Sequence, residues 1–428
     1  MSHRIPAAAA LAAALALSPP AGAADPVTIA VVLSETPAPA AFPAALIRAG
    51  IEAAVQAANA EEAGKAHPVQ VVFADDRGTL PGAGEAAGRL LADGRAVALI
   101  GGQVSATAPA QIAAAARAER PFVNVNGWDA GLRVPGVAAV FHIAPDARTV
   151  PAMLARSAAA LAATRVALTA PVTDRGAEAR AEPLKVALAA LEPPVPAAFV
   201  PFDPAQRGPA AAAPLRRDPP DLVFAVQGGA AGARFLGQLR QAGIAPTART
   251  LVLDAAGIAD SAAFWEDARE SGRLLLSVAL HHPAIPVTAR GEAVRRALPT
   301  DLPETRLFHQ GADAVFLLVD GLRRARSTDA TALVRAMDAA PATGTRGPIR
   351  FQTDGGTRQR IDIPFALVQH QEQGAPAERA QAIWVPGRSL RADRLLRPGA
   401  SAATPARPEP ARPVPPPAKP VPAAGVPR

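Results

Sequence analysis

The strongest constraint on this chain's fold is an alternation that runs along it twice. Short apolar stretches, each followed by an alanine-rich stretch of helical period, recur between residues 26 and 126. VTIAVVL (27–33), VQVVFA (69–74), VALI (97–100) and PFVNV (121–125) read as strands. Residues 42–60, 82–92 and 109–118 read as helices, the first with Leu46, Ile47, Ile51 and Val55 on one side. A second series follows His142, with helices at 149–163, 176–191 and 230–241 and strands at 165–169, 197–202, 222–226 and 250–253. Residues 203–218 carry no clear period. A further strand is expected at 273–280, then helices at 307–324 and 331–339 and a turn at 344–347. Strands at 348–352 and 360–368 flank Asp354-Gly355-Gly356 as a hairpin turn, and 381–385 offers another strand. Strands apolar along their whole length are buried on both faces, which calls for parallel sheets covered by helices. The expected fold is therefore α/β, with two doubly wound parallel-sheet lobes.

Both ends of the chain differ from this body. Arg4, an apolar run at 7–17, the break Ser18-Pro19-Pro20 and the small residues 21–24 form a secretory signal peptide, cut near Ala23 or Ala24. The run is too short to span a bilayer, and no later segment is long and apolar enough. Cysteine is absent, which excludes disulfides, thiolate metal sites, a cysteine nucleophile and a lipoprotein anchor after the signal. The mature protein is expected to be exported and not membrane-spanning. Eleven of the last 32 residues are proline, too many for a core, so 397–428 is expected to be a disordered Pro/Ala-rich tail. The formal charge of +7 is concentrated at these ends, and about +2 remains for the body. Nucleic-acid binding has no electrostatic support.

The most informative stretch of the body is 97–111, VALIGGQVSATAPAQ. A buried strand ends at Gly101-Gly102, and a helix begins near Pro109. A helix start presents unpaired N–H groups and partial positive charge, and Ser105 and Thr107 add hydroxyls there. Such a turn can hold a carboxylate, with the two glycines allowing close approach to the backbone. An ordinary capped strand–helix turn uses the same residues.

Catalytic constellations are not legible. GAGEAAG at 82–88 imitates a dinucleotide fingerprint, but a polar loop and Pro81 separate it from the preceding strand, so it reads as a helix start. His281 and His282 are adjacent on an expected strand and point to opposite faces, and the other histidines show no ligand spacing. No serine sits in a nucleophile elbow. Asp75 and Asp76 end a strand and read as loop residues. No enzyme, metal site or cofactor is expected.

The order of these segments carries a resemblance. VTIAVVL, AALIRAGIEAAVQAAN, VQVVFADDRGTLPGAGEAAGRLL, VALIGGQVSATA, RPFVNVN, FHIAPD, PDLVFAVQGG, GADAVFLLVDGLRRARSTDATALVRAM and GPIRFQTDGG occur in sequence over about residues 26–390. This resembles the type I periplasmic solute-binding proteins of ABC transporters, in the branched-chain amino-acid group. The resemblance implies a Venus-flytrap fold with crossings near Ile143, Ala279 and Gln352. Lobe one would comprise 25–143 and 280–350, and lobe two 144–279 and 351–395. It implies a monomeric periplasmic protein that binds a small polar or amino-acid-like solute between the lobes and delivers it to an ABC permease. Ser105, Ala106 and Thr107 correspond to the family's carboxylate-holding turn, and Gly127 and Trp128 to ligand contacts after the fourth strand. Arg175, Gln227 and Asp254 correspond to contacts on lobe two. Arg175 replaces a tyrosine, and the chain has no tyrosine at all. A cation there favours an acidic or strongly polar ligand over leucine. An alternative is an interaction or sensor protein of the same fold that has lost solute transport.

Overall fold

A computed structural model describes residues 25–37, 43–127, 139–146, 148–203, 205, 213–228, 230–260, 262–354 and 357–398. The expected signal peptide, Trp128 and nearly all of the Pro-rich tail lie outside these residues.

Two seven-stranded sheets form the two lobes. The first contains β1 (Val27–Leu33), β2 (Val69–Asp75), β3 (Ala96–Gly101), β4 (Phe122–Asn124) and β5 (Val140–His142). The second contains β6 (Val166–Thr169), β7 (Ala197–Phe199), β8 (Leu222–Ala225), β9 (Leu251–Asp254) and β10 (Leu276–Ala279). Adjacent strands within each of these sets run parallel. A small hairpin, β11 (Ala342–Gly344) with β12 (Gly347–Ile349), stands apart from both sheets. The remaining strands are β13 (Phe351–Asp354), β14 (Thr357–Arg360), β15 (Ala366–Gln369) and β16 (Gln381–Trp384). The strand orders are β13-β14-β5-β4-β3-β1-β2 and β16-β15-β10-β9-β8-β6-β7. β3, β8 and β9 are buried at every residue, as strands covered on both faces must be.

The chain leaves lobe one from the carboxyl end of β5 and leaves lobe two from the carboxyl end of β10. Both sheets therefore turn their carboxyl ends toward the crossings. The third crossing lies later than the sequence implied. β13 and β14 form the expected hairpin, but β14 pairs parallel with β5, Thr357 opposite Val140, inside the first sheet. The second sheet is rejoined only at β15, where Ala366 pairs with Ala279 of β10. Residues 361–365 thus make the crossing, not Gln352, and 351–360 belong with lobe one. The single strand read at 360–368 is two strands split by a crossing that contains Pro364, whose ring nitrogen cannot donate to a ladder. The helix expected at 82 begins at Leu80, because Thr79 caps it by accepting from the Gly82 N–H at 3.1 Å. A helix at Ala289–Arg296, capped in the same way by Thr288, was not read from the sequence.

The core of lobe one is a helix pair. Arg306–Ala325 carries a broad apolar face and packs on Ala44–Ala60. Gly50 and Gly311 sit at the contact. A Cβ on Gly50 would lie 2.0 Å from the Phe308 carbonyl oxygen, and one on Gly311 would lie 2.4 Å from that of Ile47. The backbones touch where side chains would otherwise hold them apart. Gly311→Ala is therefore expected to destabilise the protein by about 1–3 kcal/mol through overpacking. Urea unfolding checks this, and an unchanged midpoint would count against the helix contact.

Candidate functional site

The turn after β3 lies at the carboxyl end of the first sheet, and buried hydrogen bonds hold it. Gly102 has φ +72°, a conformation that favours glycine. Its N–H donates to Gln111 Oε1 at 2.8 Å, and Gln111 Nε2 donates to Asp76 Oδ2 at 3.0 Å. Asp76 Oδ1 accepts from Ser34 Oγ at 2.6 Å and from the Gly78 N–H at 2.8 Å. Gln103 is buried and exchanges hydrogen bonds with the backbone of Ser34. Asn126 Nδ2 donates to the Gln103 carbonyl at 2.8 Å, and Arg306 Nη1 donates to Asn126 Oδ1 at 2.6 Å. Arg306 in turn lines a small cavity together with Ile143, Leu280 and Ile363.

This geometry corrects the role expected of the two glycines. A Cβ on Gly101 would meet Gln111 Oε1 at 2.3 Å, and one on Gly102 would meet Asn124 Oδ1 at 2.3 Å. Their bare α-carbons make room for the protein's own amides. Thr107 is buried, and its N–H and hydroxyl both donate to the Val104 carbonyl, at 3.2 and 3.3 Å. It stabilises the turn immediately before the helix Ala108–Arg117. Ser105 is half-buried and Ala106 is exposed, so these two form the open part of the turn. Gly127 is buried, with its N–H shared between the Gly102 carbonyl and Asn124 Oδ1. Gln103, Gln111 and Asn126 were not singled out from the sequence and Asp76 was read only as a loop residue, because the contacts that unite them join distant segments.

The lobe-two candidates lie on loops at the carboxyl ends of β6, β8 and β9. Arg175 is exposed, just before the helix Ala177–Ala189. Gln227 is half-buried, and its Nε2 donates to the Gly228 carbonyl at 3.1 Å. Asp254 is buried, and its two carboxylate oxygens accept from the N–H groups of Ala256 and Ala259, both at 2.9 Å. Burial raises its pKa against those hydrogen bonds. The carboxylate thus shapes its own loop. Beside these loops is a cavity of about 260 Å³, lined by Val150, Leu154, Leu184, Val226 and Ala255, with Arg180 among its walls. Arg180 is paired with Asp174.

A polar cluster sits where the chain re-enters lobe one. His281, Glu304 and His309 bring one ligand atom each within 4.8 Å of one another, an arrangement the linear spacing did not reveal. Glu304 Oε1 accepts from His309 Nε2 at 2.7 Å, and that bond, foremost, lowers the Glu304 pKa to about 2. His281 Nδ1 accepts from Arg346, which assigns the proton of the neutral ring to Nε2. Each imidazole therefore already has one nitrogen engaged within the protein, and a cation would have to sit close to the Arg346 guanidinium.

The fold is that of a type I periplasmic binding protein, two parallel-sheet lobes joined by three crossings. A model of the periplasmic binding protein family matches residues 26–375, and the chain belongs to that family. No curated protein matches the sequence. Solved structures align over most of the chain. A branched-chain amino-acid ABC transporter protein from Rhodospirillum rubrum, 18% identical, aligns with a TM-score of 0.64 over 84% of this chain and 100% of its own. An ABC transporter substrate-binding protein from Desulfitobacterium hafniense, in complex with Leu and 21% identical, gives 0.57 over 84% and 100%. A solute-binding protein from R. palustris in complex with benzoate, 18% identical, gives 0.50 over 84% and 96%.

The buried imidazoles set an acid limit on this architecture. Burial, followed by the charge of Arg346, lowers the His281 pKa to about 3. An unfolded chain binds that proton near pH 6.5, so the stabilisation is complete above about pH 6.5 and is lost as pH falls toward 3. Unfolding midpoints measured from pH 7 to 4 should fall for the native chain and fall less steeply for His281→Gln. Equal slopes would show that His281 does not contribute.

Proposed function

We propose that this protein is the solute-binding component of an ABC importer and carries a small carboxylate between its two lobes. The observation that supports this best is the turn at Ser105–Thr107. It stands at the carboxyl end of a central parallel strand, where open α/β sheets bind ligands, and Asn126 joins it to Arg306, which lines a small cavity together with residues of the crossings. The carboxylate meets the Ser105 hydroxyl and the backbone around Ala106, with Thr107 and Gly127 keeping the turn in shape. The body of the solute lies against the apolar cavity of lobe two, beside Gln227 and the Asp254 loop. Arg175 adds positive charge at the rim. Bound leucine and benzoate in two of the structures above are both carboxylates with apolar bodies, which suits this division of chemistry.

Solute contacts from both lobes favour the closed form, and closure is a hinge motion at the three crossings. The N-terminal signal directs the chain to the periplasm, where the closed form delivers solute to a membrane permease. Among the described residues no helix is long and apolar enough to cross a membrane.

A thermal-shift screen of the mature chain against amino acids and aliphatic and aromatic carboxylates tests this reading. At least one carboxylate should raise the Tm, and Ser105→Ala should weaken its binding by about tenfold, the loss of one hydrogen bond to a charged group. No shift with any compound, together with no co-purifying solute by mass spectrometry, would favour a chain of this fold that has lost transport.

A further inference from the structure

All three crossings meet at one small cavity. Ile143, Leu280 and the pair Ile363 and Pro364, one from each crossing, line a space of about 30 Å³. That is room for a single monatomic ion or a water molecule. The other walls are strongly cationic: Arg306, Arg346 and Arg360 face it, against one carboxylate, Asp313.

Asp313 is already engaged, with Oδ1 accepting from the Thr345 N–H and hydroxyl and Oδ2 accepting from Arg360 Nη1 at 2.7 Å. Arg346, only 9% exposed, donates to the Leu280 carbonyl and to His281, both uncharged acceptors. Among the described residues no carboxylate oxygen lies within 4.0 Å of its guanidinium. Arg360 is 2% exposed, and its Nε–H is buried without a hydrogen-bond partner. A buried guanidinium on which the carboxylates Glu304 and Asp313 act only from beyond contact, and a buried N–H without an acceptor, are each costly. One anion answers both.

We infer that this cavity is a binding site for a small monatomic anion of the halide class, held by Arg346 and Arg360 at the meeting point of the three crossings. The site lies apart from the Ser105 turn, and only its link to lobe closure rests on the function proposed above. An anion there touches every segment that must bend when the lobes close. By linkage, its affinity and that of a solute depend on each other wherever the cavity changes shape on closure.

Thermal unfolding of the full chain in sodium chloride, bromide and gluconate at equal ionic strength tests this. Gluconate is too large for the cavity. The Tm should be about 2–4 °C higher in roughly 100 mM chloride or bromide than in gluconate, and the rise should saturate. Arg346→Gln should abolish the difference. Equal Tm values in the three salts would mean that the cavity holds water alone and would overturn the inference. Bromide-soaked crystals of the native chain supply a readout that does not depend on the variant folding. An anomalous peak between Arg346 and Arg360 supports the site, and its absence counts against it.

Discussion

One buried carboxylate, Asp313, completes lobe one. It lies on the helix Arg306–Ala325 and holds three groups from later chain, the N–H and hydroxyl of Thr345 and the guanidinium of Arg360. Thr345 sits in the turn of the β11–β12 hairpin, and Arg360 ends β14. Both partners of the ion pair are almost fully buried. Such a pair is a poor source of net stability, but loss of either member strands a charge in a low-dielectric interior. Its consequence is positional. It keeps residues 351–360 in the first sheet and so determines where the chain crosses for the third time.

The crossings are held by side chains of lobe one as well as by covalent continuity. Gln359 Nε2 donates to the Ala144 carbonyl at 2.9 Å, at the first crossing, and Arg346 Nη1 donates to the Leu280 carbonyl at 3.1 Å, at the second. The peptide groups of these connecting segments lack ladder partners at such points, and buried carbonyls require donors. The long polar side chains of the hinge provide them. The hinge is consequently polar and cationic, whereas the two lobe cores are apolar.

The turn at Gly101–Thr107 shows how a candidate binding element is built. Its open face is small, Ser105 and Ala106. Beneath it a continuous set of hydrogen bonds runs from Asp76 through Gln111 to the Gly102 N–H, and from Ser34 through Gln103 and Asn126 to Arg306. Buried amides and carboxylates with their partners in place are rigid. A rigid floor presents the hydroxyl and N–H groups of the turn without reordering, which is the condition for binding a small solute economically.

The sequence by itself determined most of the local elements and the two-lobe class. The runs 29–33, 97–100 and 222–226 are apolar throughout, and that pattern has few solutions besides a covered parallel strand. The turn at Ser105 was legible for the same reason, since strand, glycines and helix start are contiguous. Only the tertiary structure decided which sheet each late strand joins, because the period of 357–360 and 366–369 is the same whichever neighbour they find. It also decided that Asp76, Gln111, Gln103 and Asn126 form one floor, and that Arg346 and Arg360 face one cavity. Those groupings join residues far apart in the chain through hydrogen bonds and charge, and such contacts leave no periodicity in the chain itself.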